Sequence, residues 1–300
     1  MSVVDKIKSL DRKYSMERFY QTTGGSRQKY GQLKLVSKSK KSLEDTIISY
    51  VRSWRVNHPS MGSRVLYQSM SEAGIDIPFG ITAFEKLMSR KGLTVQTRKR
   101  FFPRTSDGKG KNNHPNLTNG LILNDINQLI AADITYFQIN LRWYYLFLLK
   151  DVYSQRLISL IPSKNLQAIH AVKTLFDLKK LRGKKALHSC IHHSDNGSQY
   201  ESRQFLQRLA DLKLRVSRAE SCDQNGSIEQ MNHIVKNMYL HHMGITNFKH
   251  LTKACRKVIR LMNEGRSIKQ LNGMSVDQFE QKLIDLPDDH KPIKVMHDFS

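Results

Sequence analysis

Three apolar, β-branched runs separated by short polar turns, IAADITYFQI, WYYLFLLKDVY and RLISLIPS, fill most of residues 130–163. Runs of this length and composition read as strands, and turns this short predict an antiparallel meander. The texture then alternates. AIHAVKTLFDLKKL is an amphipathic helix, ALHSCIHH a fourth strand, SRQFLQRLADL a helix, KLRVSRA a fifth strand and SIEQMNHIVKNMYLHHM a long helix. The order βββαβαβα leaves few architectures, and the simplest is a mixed sheet covered by helices.

The expected fold class is therefore α/β, with a ribonuclease H-like mixed-sheet core over residues 121–245 and an α-helical region before it. Residues 1–41 form a basic arm containing Lys34, Lys38, Lys40 and Lys41, with a short helix within Ser9–Tyr20. Ser42, followed by Glu44 and Asp45, reads as a helix start, and Ile47, Ile48, Val51, Trp54 and Val56 give that helix an apolar face. After the break HPSMG, SRVLYQSMSEA closes at Gly74, and ITAFEKLMSRK turns Ile81, Phe84, Leu87 and Met88 inward before Gly92. Two short helices with Lys86, Arg90 and Lys91 on the second outline a helix-turn-helix-like DNA-binding region over 42–93; an ordinary helical hairpin has the same pattern. Residues 94–120 read as a basic linker whose Arg98, Lys99 and Arg100 either track phosphates or face solvent. Helices at 247–263 and 275–284 continue outside the core as a C-terminal extension over 246–300. Lys253, Arg256, Lys257 and Arg260 share one side of the first, as a solvated face or a DNA contact.

Charge narrows the partner. The 300 residues carry a formal +23 with a pI near 10.0, which implies a polyanion, because releasing counterions from phosphates supplies much of nucleic-acid affinity. Residues 1–120 hold 23 Lys and Arg against 9 Asp and Glu, a net of +14, leaving +9 for the remainder. No run approaches the ~20 apolar residues that span a bilayer, and MSVVDKIKSLDRKY lacks the apolar stretch of a signal peptide. A cytoplasmic protein is expected, and Cys190, Cys222 and Cys255 are too few and too scattered for a disulfide framework or a CxxC metal site. The pairs His192–His193 and His241–His242 are adjacent rather than one helical turn apart, which disfavours zinc.

Three carboxylates stand out against this basic background: Asp133 within the first strand, Asp195 directly after the fourth, and Glu229 near the start of the last core helix. Period-two alternation puts Asp133 on one face with Ala131, Thr135 and Phe137, opposite Ala132, Ile134 and Tyr136. A carboxylate inside a strand is costly unless paired or coordinated. Singly, Asp133 reads equally as a hydrogen-bonded core residue, Asp195 as a turn residue before Gly197 and Glu229 as a helix-start charge. Jointly they suggest two divalent ions, magnesium or manganese, about 3.5–4 Å apart.

DITYF with WYYLFLLKDVYSQRLI, then HHSDNGSQYES, then NGSIEQMNHIVKN resembles the catalytic core of the retroviral-integrase superfamily, specifically insertion-sequence transposases of the IS-three group. MNEGRSIKQLNGMSVDQFE is similar to that group's ending, and HPSMGSRVLYQSMSEAGIDIPFGITAFEKLMSRKGL to its helix-turn-helix segment, so the resemblance covers roughly residues 42–285. It implies a DDE recombinase in which Asp133, Asp195 and Glu229 bind two magnesium (or manganese) ions, a 3′ hydroxyl is freed at the element's end, and that hydroxyl attacks another phosphodiester. His193, Asn196, Gln199, Asn232 and Lys236 take supporting roles, with Lys236 also meeting a DNA phosphate. The implied partners are terminal-repeat and target DNA, further copies of the chain, and an upstream-frame protein or fusion; the implied location is the bacterial nucleoid. Two departures stand out. Only 33 residues separate Asp195 from Glu229, where the group usually has 35, and the usual Arg-Pro-His near the end reads Arg266-Ser267-Ile268. A catalytically silent DNA-binding remnant of the same fold is the alternative, and an RNase H-like nuclease acting on RNA hybrids a third reading.

Overall fold

The computed structural model describes residues 26–95, 114–219 and 222–297, and the chain divides into two units between Trp54 and Arg55. The described part of the first unit is helical. α1 runs unbroken over Arg27–Asn57 and ends three residues into the second unit. The start expected at Ser42 is a helix interior: the Ser42 carbonyl accepts from Thr46 Oγ1, one turn later, at 3.0 Å. Lysine is a good helix former and no proline lies between Arg27 and Asn57, so the basic residues read as a separate arm join the helix. The short helix expected within Ser9–Tyr20, like Arg98, Lys99 and Arg100, lies outside the described residues.

In the second unit α2 (Ser63–Glu72) and α3 (Ile81–Arg90) form the expected pair. Each ends in a left-handed glycine, Gly74 at φ +76° and Gly92 at φ +65°, and the amides of Ile75 and Leu93 reach back to Met70 and Met88, which satisfies carbonyls that the helix end would orphan. Leu66, Met70, Phe84, Leu87 and Met88 are buried, with Tyr67 and Phe84 edge to face at 5.5 Å. α2 also meets the C-terminal turn. The Ser267 amide donates to Ser69 Oγ at 3.3 Å, and a Cβ at Gly273 (φ +88°) would fall 1.8 Å from Gln68 Nε2.

The core sheet contains β2 (Leu129–Ile139), β3 (Arg142–Asp151), β4 (Leu157–Ser163), β5 (Ile191–Ser194) and β6 (Arg215–Arg218) in the order β4-β3-β2-β5-β6. The first three are antiparallel; β2–β5 and β5–β6 are parallel. This is the ribonuclease H-like mixed sheet that the sequence predicts. A further pair, β1 (Ile122–Leu123) with β7 (Lys294–Val295), is antiparallel.

Each face of the sheet has its own core. Ala132, Ile134, Phe147 and Leu149 point to the side covered by α4 (Ala168–Arg182) and α5 (Arg203–Asp211). Ala131, Phe137, Leu146 and Leu148 point to the other, covered by α6 (Gly226–His233), α7 (Phe248–Glu264) and α8 (Val276–Ile284). The C-terminal helices are thus part of the core, not an extension outside it: Leu251, Val258 and Met262 of α7 and Val276, Phe279 and Leu283 of α8 all belong to this cluster. Their amphipathic stripes need a partner, and this sheet face supplies it. The long last core helix also differs from expectation. After α6 the backbone widens into a π-helical stretch, Ile234–Tyr239, then tightens over Leu240–His242.

A buried ion network ties these layers together. Asp151, fully buried at the end of β3, accepts from the amides of Asn127, Tyr153 and Ser154 at 2.9–3.1 Å and lies 3.8 Å from Arg182 of α4. Glu280 of α8 takes both Arg182 terminal nitrogens at 2.6 and 2.8 Å, and Arg156 lies 2.8 Å away.

Candidate active site

β2 holds Asp133 between two neighbours. On one side Asp133 pairs with Leu148 of β3; on the other Ala131 pairs with His193 of β5, in parallel. Continuing that parallel register by two residues sets Asp195, the first residue after β5, beside Asp133, with neighbouring strands ~4.8 Å apart. The turn that follows shapes Asp195. Gly197 donates its amide to Asp195 Oδ1 at 3.1 Å, and a Cβ there would stand 3.0 Å from that oxygen and 3.1 Å from Gln199 Oε1. Glycine is what allows the Asp195 and Gln199 side chains to close on this turn.

Glu229 arrives from α6, which crosses the same sheet face. Asn225 Nδ2 donates to the Ala132 carbonyl at 3.4 Å just before the helix, and Asn232, within it, donates to Asp133 Oδ2. Glu229 is exposed, yet its charge contributes to the field at Asp133. Asp133 and Asp195 therefore converge, while Glu229 stands at the rim. Among the described residues no three His, Cys, Asp or Glu side chains form a ready-made metal cage.

The electrostatics follow from burial. Loss of solvent, then the charge of Asp195, pushes the Asp133 carboxyl up to about 7; the Ile134 amide and Asn232 pull the other way, and Glu229 adds a small upward push. Burial also raises Asp195, against the Gly197 amide and the Arg218 guanidinium. Two adjacent carboxylates out of water cannot both ionise cheaply without a cation. The donor set is all oxygen, which suits a hard divalent ion, and Glu229 must turn inward to join it.

The other expected residues take distinct places. His193 bonds Ser217 Oγ of β6 at 2.8 Å, and Asn196 donates to the Ala219 carbonyl at 3.4 Å, so both tie the end of β5 to β6. Burial drops His193 to about 4, keeping it neutral. His192, on the opposite face, packs edge-on against Phe205. Lys236, expected to meet a phosphate, is turned inward instead. It is buried and donates to Thr135 Oγ1 at 2.7 Å; burial lowers its amine, and the charge of Asp133 only partly offsets that. The π-helical stretch and the apolar sheet face direct it inward. Lys86, Arg90 and Lys91 are exposed on α3 and just after it, as are Lys253, Arg256, Lys257 and Arg260 on α7.

Sequence reasoning passed over Arg218 and Lys150. Arg218, wholly buried, pairs with Glu201 at 2.7 Å and donates to the Tyr200 carbonyl at 2.8 Å, stiffening the turn beneath Asp195. Lys150 is fully buried and reaches Ser227 at the start of α6. A lysine ending the apolar run LFLL was the available signal.

The integrase core domain family matches residues 124–222, which holds Asp133 and Asp195. An insertion element IS600 protein of 31 kDa from Shigella sonnei is 28% identical over 225 residues, 74% of this chain and 81% of that protein. The InsF transposase of insertion sequence IS3A from Escherichia coli is 26% identical over 209 residues, 68% of this chain and 72% of that protein. These likenesses support an IS3-group transposase of the DDE superfamily. Among solved structures, the catalytic core domain of HTLV-2 integrase in complex with magnesium aligns with a TM-score of 0.43 at 19% identity, covering 52% of this chain and 97% of that one. The two relatives align over lengths that exceed the matched core domain, so the likeness takes in flanking helices as well. No described helix is long and apolar enough to cross a membrane.

Proposed function

We propose that this chain cleaves DNA at the ends of its element and joins the freed ends to target DNA, with Asp133, Asp195 and Glu229 as its metal ligands. The observation that supports this reading is the parallel register of β2 and β5, which extended by two residues brings Asp195 beside Asp133, where burial raises both carboxyls. Magnesium or manganese bound there, as two ions, supplies a Lewis acid that activates the attacking oxygen and stabilises the leaving oxygen of a phosphodiester. Asp133 on β2 and Asp195 in the turn directly after β5 hold the ligand geometry, Asn232 fixes the orientation of Asp133, and Glu229 closes the site from α6. Lys236 balances charge beneath Asp133.

The DNA is held outside this pocket. Lys86, Arg90 and Lys91 offer a phosphate-binding face on the helix pair, with Arg98, Lys99 and Arg100 following in sequence. The substrates are the element's terminal repeats and a target duplex in the bacterial cytoplasm, and joining two ends calls for more than one copy of the chain, alone or with an upstream-frame partner.

The test is Asp195→Asn, assayed on duplexes that carry the DNA flanking the gene. Magnesium-dependent cleavage and strand joining should fall by roughly 10³-fold or more, while filter-binding affinity stays within about twofold, since DNA contacts lie elsewhere. Cleavage at the wild-type rate would remove Asp195 from the site.

A further inference from the structure

Lys150 is the penultimate residue of β3, after four leucine or phenylalanine positions, Leu146–Leu149, and is 1% exposed. It pairs with Ala131, two residues from Asp133, so its side chain shares the sheet face that α6 crosses. Its Nζ donates to Ser227 Oγ at 2.9 Å and to the Ser227 carbonyl at 3.1 Å, in the first turn of α6 and two residues before Glu229.

A cation in this place is expensive. Burial, then repulsion from Lys294 and Arg266, drives the amine down to about 7, with only Asp151 favouring its charge. The positive end of the α6 dipole opposes it as well. An apolar chain of similar length would fill the same space without those costs. What it would not do is hold Ser227.

We infer that Lys150 is a positioning residue for Glu229: it clamps the first turn of α6 to the sheet and fixes the roll of that helix about its axis. The inference rests on the metal-ligand reading of Glu229. At 100° per residue, Ser227 and Glu229 lie on opposite flanks of α6. Asn232 anchors the Glu229 flank to Asp133, and Lys150 anchors the other to β3. With both flanks held, the helix cannot roll. A roll of about 10° moves a group about 6 Å from the axis by about 1 Å, and an error of about 1 Å in a reacting geometry can cost about 10²-fold.

Lys150→Met separates this role from a merely structural one, because the two predict opposite outcomes. The full-length variant, free of metal, should melt no lower than wild type, since a buried charge has been replaced by an apolar chain. Its half-saturating manganese concentration, read by calorimetry without DNA, should rise about 10-fold, as loss of an outer-shell partner does elsewhere. Amide exchange over Ser227–Gln230 should quicken. Ser227→Ala, which keeps the carbonyl acceptor, should shift both readouts in the same direction but less, and it decides the matter if Lys150→Met does not fold. Unchanged manganese affinity and unchanged exchange in a folded variant would overturn the clamp. If Asp195→Asn leaves manganese binding intact, it is the metal-site reading that fails, and exchange over Ser227–Gln230 still tests Lys150.

Discussion

Two clusters of buried carboxylates lie within the same fold, and they are provisioned differently. Asp151 and Glu280 meet Arg182 and Arg156, and Asp151 also takes three backbone amides. The arginines hold Glu280 below the usual carboxylate range despite burial, whereas burial raises Asp151 against its amides and Arg182, so what sets this cluster apart is that its carboxylates have arginine partners. Asp133 and Asp195 have one asparagine, a few amides, a buried lysine and an arginine already engaged by Glu201, and Asp133 is pushed up to about 7. The first cluster is complete within the chain. The second lacks a cation, and that deficit separates a structural carboxylate from one placed to bind metal.

The same substitution should therefore have opposite signs in the two clusters. Asp151→Asn turns an acceptor that meets three amide donors into a side chain with an N–H of its own, leaving a buried donor unpaired, and should cost about 3 kcal/mol in urea unfolding. Asp195→Asn relieves like-charge repulsion in the metal-free protein and should leave stability unchanged or higher, although it removes activity. Equal destabilisation at both positions would erase the distinction.

Acidity sharpens the contrast. Asp133 has a folded value raised above its unfolded one, so the metal-free protein binds more protons when folded and loses stability as pH rises from about 4 to about 7. Glu280 is depressed, so its contribution is present above about 4.5 and is lost as pH falls below that. The metal-free melting temperature should then decline as pH rises through this window, and Asp133→Asn should flatten the decline. Manganese binds the ionised carboxylates and should reverse it; a melting profile that ignores manganese at pH 7 would contradict the deficit.

Much of this fold was open to sequence reading because its strands are short, apolar and separated by polar turns, and period-two alternation placed Asp133 correctly with Ala131 and Phe137. Other features depend on contacts that local pattern does not encode. Ser42 carries a good start signal, but helix propensity on both sides overrides it. The stripes of α7 and α8 showed that those helices pack, without showing that their partner is the core sheet. The direction of a lysine is equally hidden: sequence reading has Lys236 meet a phosphate and passes over Lys150, and only the assembled sheet reveals them as buried donors.

That last point divides the cations as the first comparison divides the carboxylates, and it yields the smallest expected effect. Lys86 and Arg90 are exposed on α3, so each contacts at most a phosphate or two. Lys86→Ala or Arg90→Ala should weaken duplex binding a few-fold at low salt and lower the slope of log affinity against log salt by about 0.9 per lost contact. Lys236→Ala should leave that slope unchanged, since a buried lysine releases no counterion, yet it should slow cleavage by leaving Asp133 without its neighbouring positive charge. A salt slope that drops in Lys236→Ala as it does in Lys86→Ala would put Lys236 back on the DNA and undo the division between buried and exposed cations.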